Sequence, residues 1–136
     1  MKVIGIPAAH IPLVEARIRP FLDEFTNRGQ VTVSDLLDDL THKRRQCWVM
    51  FSGGKIGAVA LTQIFDDRIK TCRITHLTGE GLQEWQDAFT EVERWAKSLG
   101  CARIEALARP GYERIGKRYG LRKTHVMLEK DLSDGV

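Results

Sequence analysis

Residues 46–77 read QCWVMFSGGKIGAVALTQIFDDRIKTCRITHL, and the period of this stretch decides the fold. Gln46-Cys47-Trp48-Val49-Met50-Phe51 predicts a strand, and Ser52-Gly53-Gly54-Lys55 a hairpin turn, since paired glycines reach the positive φ that a tight turn needs. Ile56 to Ile64 predicts a second strand, Asp66-Asp67-Arg68 a second turn, and Ile69 to Leu77 a third strand. Strict alternation along the third would put Cys72, Ile74 and His76 on one face and Arg73 and Thr75 on the other. The stretch is an antiparallel meander.

Downstream the period lengthens. From Leu82 to Leu99, the residues Trp85, Phe89, Val92, Trp95, Ala96 and Leu99 recur at helical spacing, and Gly100 stops the helix. Cys101 to Ala108 then predicts a strand, Pro110 to Tyr119 a short helix, and Leu121 to Leu132 a final strand. Upstream, Lys2 to Ile6 is a short strand ended by Pro7, which has no N–H to give a ladder. Pro12 suits a helix start, and Leu13, Ile18, Phe21, Leu22 and Phe25 form an apolar stripe. Pro20 interrupts it, so a kink or two shorter helices are expected, with Asn27-Arg28-Gly29 as the stop. Ser34 is the expected N-cap of a helix running to Lys43, with Leu36, Leu37 and Leu40 facing inward.

The 136 residues suit one domain over 1–132 with a frayed tail at 133–136. Apolar residues make up 43% and charged residues 29%, an ordinary globular balance. No apolar run approaches the ~20 residues of a membrane helix, and the N-terminus shows no signal-peptide pattern, so a cytoplasmic location is expected. Cys47, Cys72 and Cys101 are widely separated, without ligand spacing, and read as reduced thiols rather than a disulfide or metal site. Net charge is +3. The basic clusters Lys43-Arg44-Arg45, Lys117-Arg118 and Arg122-Lys123 read as solvated helix ends or as attraction for an anionic ligand. No nucleic-acid motif accompanies them.

The predicted order is β-α-α-β-β-β-α-β-α-β, an α/β (α+β) arrangement with a mixed sheet. It resembles the GNAT (Gcn5-related N-acetyltransferase) fold across essentially the whole chain. The segments that carry the likeness are Glu93-Arg94-Trp95-Ala96-Lys97-Ser98-Leu99-Gly100-Cys101, then Arg109-Pro110-Gly111-Tyr112-Glu113-Arg114, Tyr119-Gly120-Leu121 and Glu129-Lys130-Asp131-Leu132. Together they are most similar to small GNAT-like proteins of phages and prophages. The resemblance implies an antiparallel first half, fourth and fifth strands that splay apart, and acetyl-CoA held between them. It implies acetyl transfer to an amine.

The family's pyrophosphate motif, R/Q-x-x-G-x-G/A, works through unpaired backbone N–H groups at a helix start. Its equivalent here is Leu77-Thr78-Gly79-Glu80-Gly81-Leu82, with Arg109 at the end of the fifth strand as a further ligand contact. Leu77 stands where a basic residue or Gln is expected, Trp85 where a small residue is, and Glu80 and Glu84 add negative charge. A working CoA loop and a simple strand-to-helix turn therefore both stay open. The resemblance also calls for an acid and a base. Counting from Gly120-Leu121 puts Gly116 at the usual tyrosine position. Tyr112 fits a different register, and Tyr119 is the other tyrosine. Glu105 and His76, on the fifth and fourth strands, are the candidate bases. Against the enzyme stands a GNAT-like chain without catalysis, serving as a binding or assembly component. The short stretch after Gly120 raises the expectation of a homodimer in which a second subunit completes the site.

Overall fold

The computed structural model describes residues 2–27, 31–80, 86–108 and 110–133. Five strands form one sheet in the order β1-β2-β3-β4-β5: β1 (Lys2–Ile6), β2 (Gln46–Ser52), β3 (Lys55–Asp66), β4 (Lys70–Gly79) and β5 (Arg103–Ala106). The first four are antiparallel neighbours, and β5 runs parallel to β4. Gly53 and Gly54, both at positive φ, close the β2–β3 hairpin.

Each face of the sheet carries its own core. On one, α1 (Ile11–Phe25) and α2 (Val33–Thr41) pack Ile11, Ile18, Leu22, Leu36 and Leu40 against Cys47, Val49, Val59 and Leu61. On the other, α3 (Gln86–Ser98) sets Ala88, Val92 and Ala96 against Trp48, Met50, Ala58, Ala60 and Cys72. Trp95 meets Trp48 edge to face at 5.2 Å. Burial pushes the Cys47 and Cys72 thiols up to about 12, so both are inert at neutral pH.

One buried polar chain crosses this second core. Trp48 donates its indole N–H to Thr62 Oγ1 (3.0 Å), and Thr62 donates onward to Gln46 Oε1 (2.9 Å). Thr62 is fully buried. Thr62→Val keeps the volume but leaves the indole N–H without an acceptor. Chemical denaturation of that variant is expected to show a loss of about 1–3 kcal/mol.

Four expectations are corrected. Of the two outcomes expected at Pro20, the pair of shorter helices is not found: α1 is one element from Ile11 to Phe25. Both Pro20 and Ala16, whose carbonyl would have received the missing hydrogen bond, are exposed, so water can take its place. Ile11 supplies the inner stripe where Leu13 was expected, and Leu13 faces solvent. The N-cap of α2 is Thr32 rather than Ser34. Thr32 Oγ1 accepts from the Asp35 N–H (3.0 Å) and Asp35 accepts from the Thr32 N–H (3.1 Å), a reciprocal capping box.

The fourth correction concerns the final strand. After α4 (Glu113–Arg118) the segment from Leu121 to Leu132 is not a strand. A strand exists only through a ladder partner, and this segment has none among the described residues. Among the described residues, no helix is long and apolar enough to cross a membrane.

Candidate active site

β4 and β5 run side by side only from Thr71–Arg103 to Ile74–Ala106. The last bond between them is Leu107 N–H to Ile74 O (3.1 Å). From there to Gly79, no described residue pairs with that flank of β4. Its β3 flank stays paired, ending with Glu80 N–H on Gly57 O (2.9 Å). Hydrogen-bond direction alternates along a strand, so Thr78 turns to β3, and Leu77 and Gly79 turn their N–H and C=O groups into the gap that β5 leaves. The splay expected of strands four and five is present.

Where the strands part, β4 carries one extra residue. Ile74 faces Thr62 and His76 faces Leu61, so Thr75 is a bulge. The bulge corrects the expected alternation. Cys72 and Ile74 stay on the α3 side, but His76 is carried over to the α1–α2 side, where its ring lies 5.0 Å from Phe25. A polar chain fixes it there. Asp39 accepts from Arg45 Nε (2.8 Å), Arg45 Nη1 donates to Thr75 Oγ1 (3.0 Å), and His76 Nδ1 lies 2.9 Å from the same oxygen.

The Thr75 hydroxyl is within reach of Leu61 O (3.3 Å); in the tautomer with its proton on Nδ1, His76 donates to Thr75 Oγ1 and Nε2 keeps its lone pair. No described residue hydrogen-bonds Nε2. Burial, and then the charge of Arg45, hold His76 below its ordinary value of 6.5. Asp39 is also shifted down. Burial alone would raise it, but Arg45 and Arg44 outweigh that. The imidazole is thus neutral at pH 7 and half-buried.

The other candidates are placed differently. Glu105 accepts from Arg73 Nε (2.7 Å) and meets Arg73 Nη2 at 2.6 Å, and the same guanidinium lies 4.4 Å over the Phe65 ring. This pair ties β4 to β5 just before they part. Tyr112 ends the 3-10 turn Pro110–Tyr112 and is the N-cap residue of α4. Tyr119 stacks on Phe89 at 4.9 Å, and burial raises its hydroxyl.

Leu77 packs its side chain toward α3, and Thr78 donates to Glu24 at the end of α1. Gly79 is dictated by the sheet, since a Cβ there would stand 2.3 Å from Ala58 Cβ and 2.5 Å from Gly57 O. Glu80 has its N–H committed to Gly57. Gly81, Leu82 and Arg109 lie outside the described residues.

Sequence reasoning named His76 as a candidate base but not its neighbours Thr75, Arg45 and Phe25. Arg45 was visible only as part of a basic cluster, and a bulge leaves no periodic signal. A hollow of about 760 Å³ opens elsewhere, bordered by Pro7, Ile11, Arg45, Trp48, Arg94 and Trp95. Neither β4 nor β5 borders it, and it adjoins the polar chain around His76 at Arg45.

Solved structures share the fold of this chain. Glucosamine-6-phosphate N-acetyltransferase from Arabidopsis thaliana superposes with a TM-score of 0.71 at 15% identity, over 97% of this chain and 98% of that one. The fold is GNAT-like. An aminoglycoside N-acetyltransferase in complex with CoA gives 0.70 at 12% identity, over 97% and 94% of the two chains. A predicted acetyltransferase with acetyl-CoA from Clostridium acetobutylicum gives 0.62 at 19% identity, over 96% of each. No family model matches the sequence, and no curated protein does.

Proposed function

We propose that the protein is an acyl-CoA-dependent N-acyltransferase that moves an acetyl group from acetyl-CoA to an amine. The observation that carries this reading is the free flank of β4, with inward-turned N–H groups beside a neutral histidine. It is supported by the fold shared with acetyltransferases, two of them solved with CoA or acetyl-CoA.

The described residues fit the extended arm of such a ligand. An elongated chain with amide groups can lie in the gap as a strand would, against the backbone of Leu77 and Gly79. By their place in the sequence, Gly81, Leu82 and Arg109 are assigned to its phosphate end. Bound there, acetyl-CoA supplies an acetyl group activated as a thioester.

The chain's own residues have distinct roles. The Leu77 N–H is a fixed donor for a carbonyl oxygen that gains charge. His76 Nε2 takes the proton that the amine must lose. Glu105, committed to Arg73, pins the strands where they separate rather than moving a proton. Tyr112 is the proton donor for the departing thiolate.

Calorimetry with acetyl-CoA, followed by thiol release over a panel of amines, tests this directly. Micromolar binding with amine-dependent release of CoA is the expected result. No heat at millimolar acetyl-CoA from folded protein would overturn it, and would leave a binding or assembly role, phage-type included.

A further inference from the structure

The hollow at Pro7, Ile11, Trp48 and Trp95 has no part in the roles proposed above, and at about 760 Å³ it has the size of a small-molecule site. It opens at the sheet edge where β1 ends, since Gly5 and Ile6 border it. Ile6, Cys47, Leu61 and His76 form one row across β1, β2, β3 and β4. Neighbouring strands lie about 4.8 Å apart, which puts Ile6 roughly 14 Å from His76. The hollow is therefore distinct from the gap between β4 and β5.

Its walls are apolar and partly flat. Pro7 lies between β1 and α1, and the buried Ile11 opens α1. Trp48 and Trp95 meet at an interplanar angle of 73°. Together they present a ring face beside a ring edge, the two surfaces against which an aromatic ring packs well.

The polar groups around these walls are chiefly donors. Arg45 spends Nε on Asp39 and Nη1 on Thr75, so its Nη2 has no described acceptor. Gln46 accepts from Thr62 through Oε1, which leaves its amide N–H groups unspent. Glu91 is the one carboxylate among the bordering residues, and Arg94 Nη1 already holds it at 2.6 Å. Ser98 donates its hydroxyl to Trp95 O (2.6 Å). With Asp39 offsetting Arg45 and Glu91 offsetting Arg94, Lys43 carries the charge left over. No described residue pairs with its ammonium.

We infer that the hollow binds a small aromatic anion, with its ring against Trp48 and Trp95 and its negative group held by Lys43 and the spare N–H groups of Gln46 and Arg45. One uncompensated cation calls for one negative charge. A neutral ring would leave these donors to water, and an aliphatic anion would forgo the flat walls. The inference stands apart from acyl transfer, because the walls and donors are the same whether or not CoA binds.

The test is calorimetry of the full chain with naphthoate, its neutral amide and decanoate, with the indole N–H signal of Trp95 followed by NMR on the same samples. Naphthoate is expected to bind at one site per chain with a dissociation constant below about 1 mM, and to move the Trp95 signal. The amide and decanoate should each bind at least about tenfold more weakly. Lys43→Gly removes the ammonium at a backbone position with φ of 63°, which glycine adopts without strain, so the fold should hold. That variant should lose at least about tenfold in naphthoate affinity and nothing in affinity for the amide. No saturable naphthoate binding below about 1 mM would overturn the inference, as would equal binding of the amide or decanoate, or a Lys43→Gly variant that binds as tightly. Displacement of naphthoate by acetyl-CoA would also overturn it, since the hollow would then belong to the acyl donor.

Discussion

Gly79→Ala is expected to lose about 3 kcal/mol or more, read as a fall in the denaturation midpoint with an unchanged slope. The added Cβ would stand 2.3 Å from Ala58 Cβ, 2.4 Å from Ala58 Cα and 2.5 Å from Gly57 O. Two of these atoms are backbone of β3, so no side chain can swing aside. The φ of +145° adds strain that only glycine avoids. Relief requires β3 and β4 to move apart at the end of the pair where Ala58 faces Gly79.

That movement would also shift the N–H groups proposed to hold acetyl-CoA, so binding should fall with stability. By contrast Gly57→Ala meets only Met50 O at 3.9 Å and should cost far less. Equal losses at the two glycines would show that general β propensity, not close strand approach, sets the requirement.

The same glycine shows why the sequence was legible in some places and not in others. Gly79 was read as half of a phosphate loop because spacing reveals that a position demands glycine, but not what lies above it. The meander, α3 and β5 were legible because their apolar periods run over many residues and each turn has its own residue chemistry. The bulge at Thr75 is one residue in a strand that keeps its composition, and it reverses the face of everything after it.

His76 therefore lies on the opposite face of the sheet from the one that alternation with Cys72 and Ile74 indicates. Its partners Phe25 and Arg45 come from α1 and the turn before β2, distant in sequence and joined only by packing. The final strand failed for a related reason. Alternation from Leu121 to Leu132 indicates that a segment can pair, and says nothing about which edge it finds.

His76→Asn carries the largest expected effect on rate, a loss of about 10²–10⁴ in kcat if Nε2 removes the amine proton. Asparagine can still offer a polar atom toward Thr75, so the fold and acetyl-CoA affinity should be preserved. The pH profile separates proton transfer from mere positioning. Burial and Arg45 depress the His76 value below 6.5, so the wild-type base is already deprotonated at pH 7.

Its kcat should be level through neutrality and fall only on acidification below that range. The variant should lose this acidic limb together with the rate. Linkage gives the same direction for stability. Between 6.5 and the lower folded value, the unfolded chain binds a proton that the folded chain refuses, so stability declines as pH falls through that window.

Arg45→Met provides the complementary test. It removes the charge that helps depress His76 while keeping much of the side chain's bulk, so the acidic limb should move toward higher pH. A limb that stays in place would remove Arg45 from the account, and a His76→Asn enzyme active within threefold of wild type would remove His76 itself.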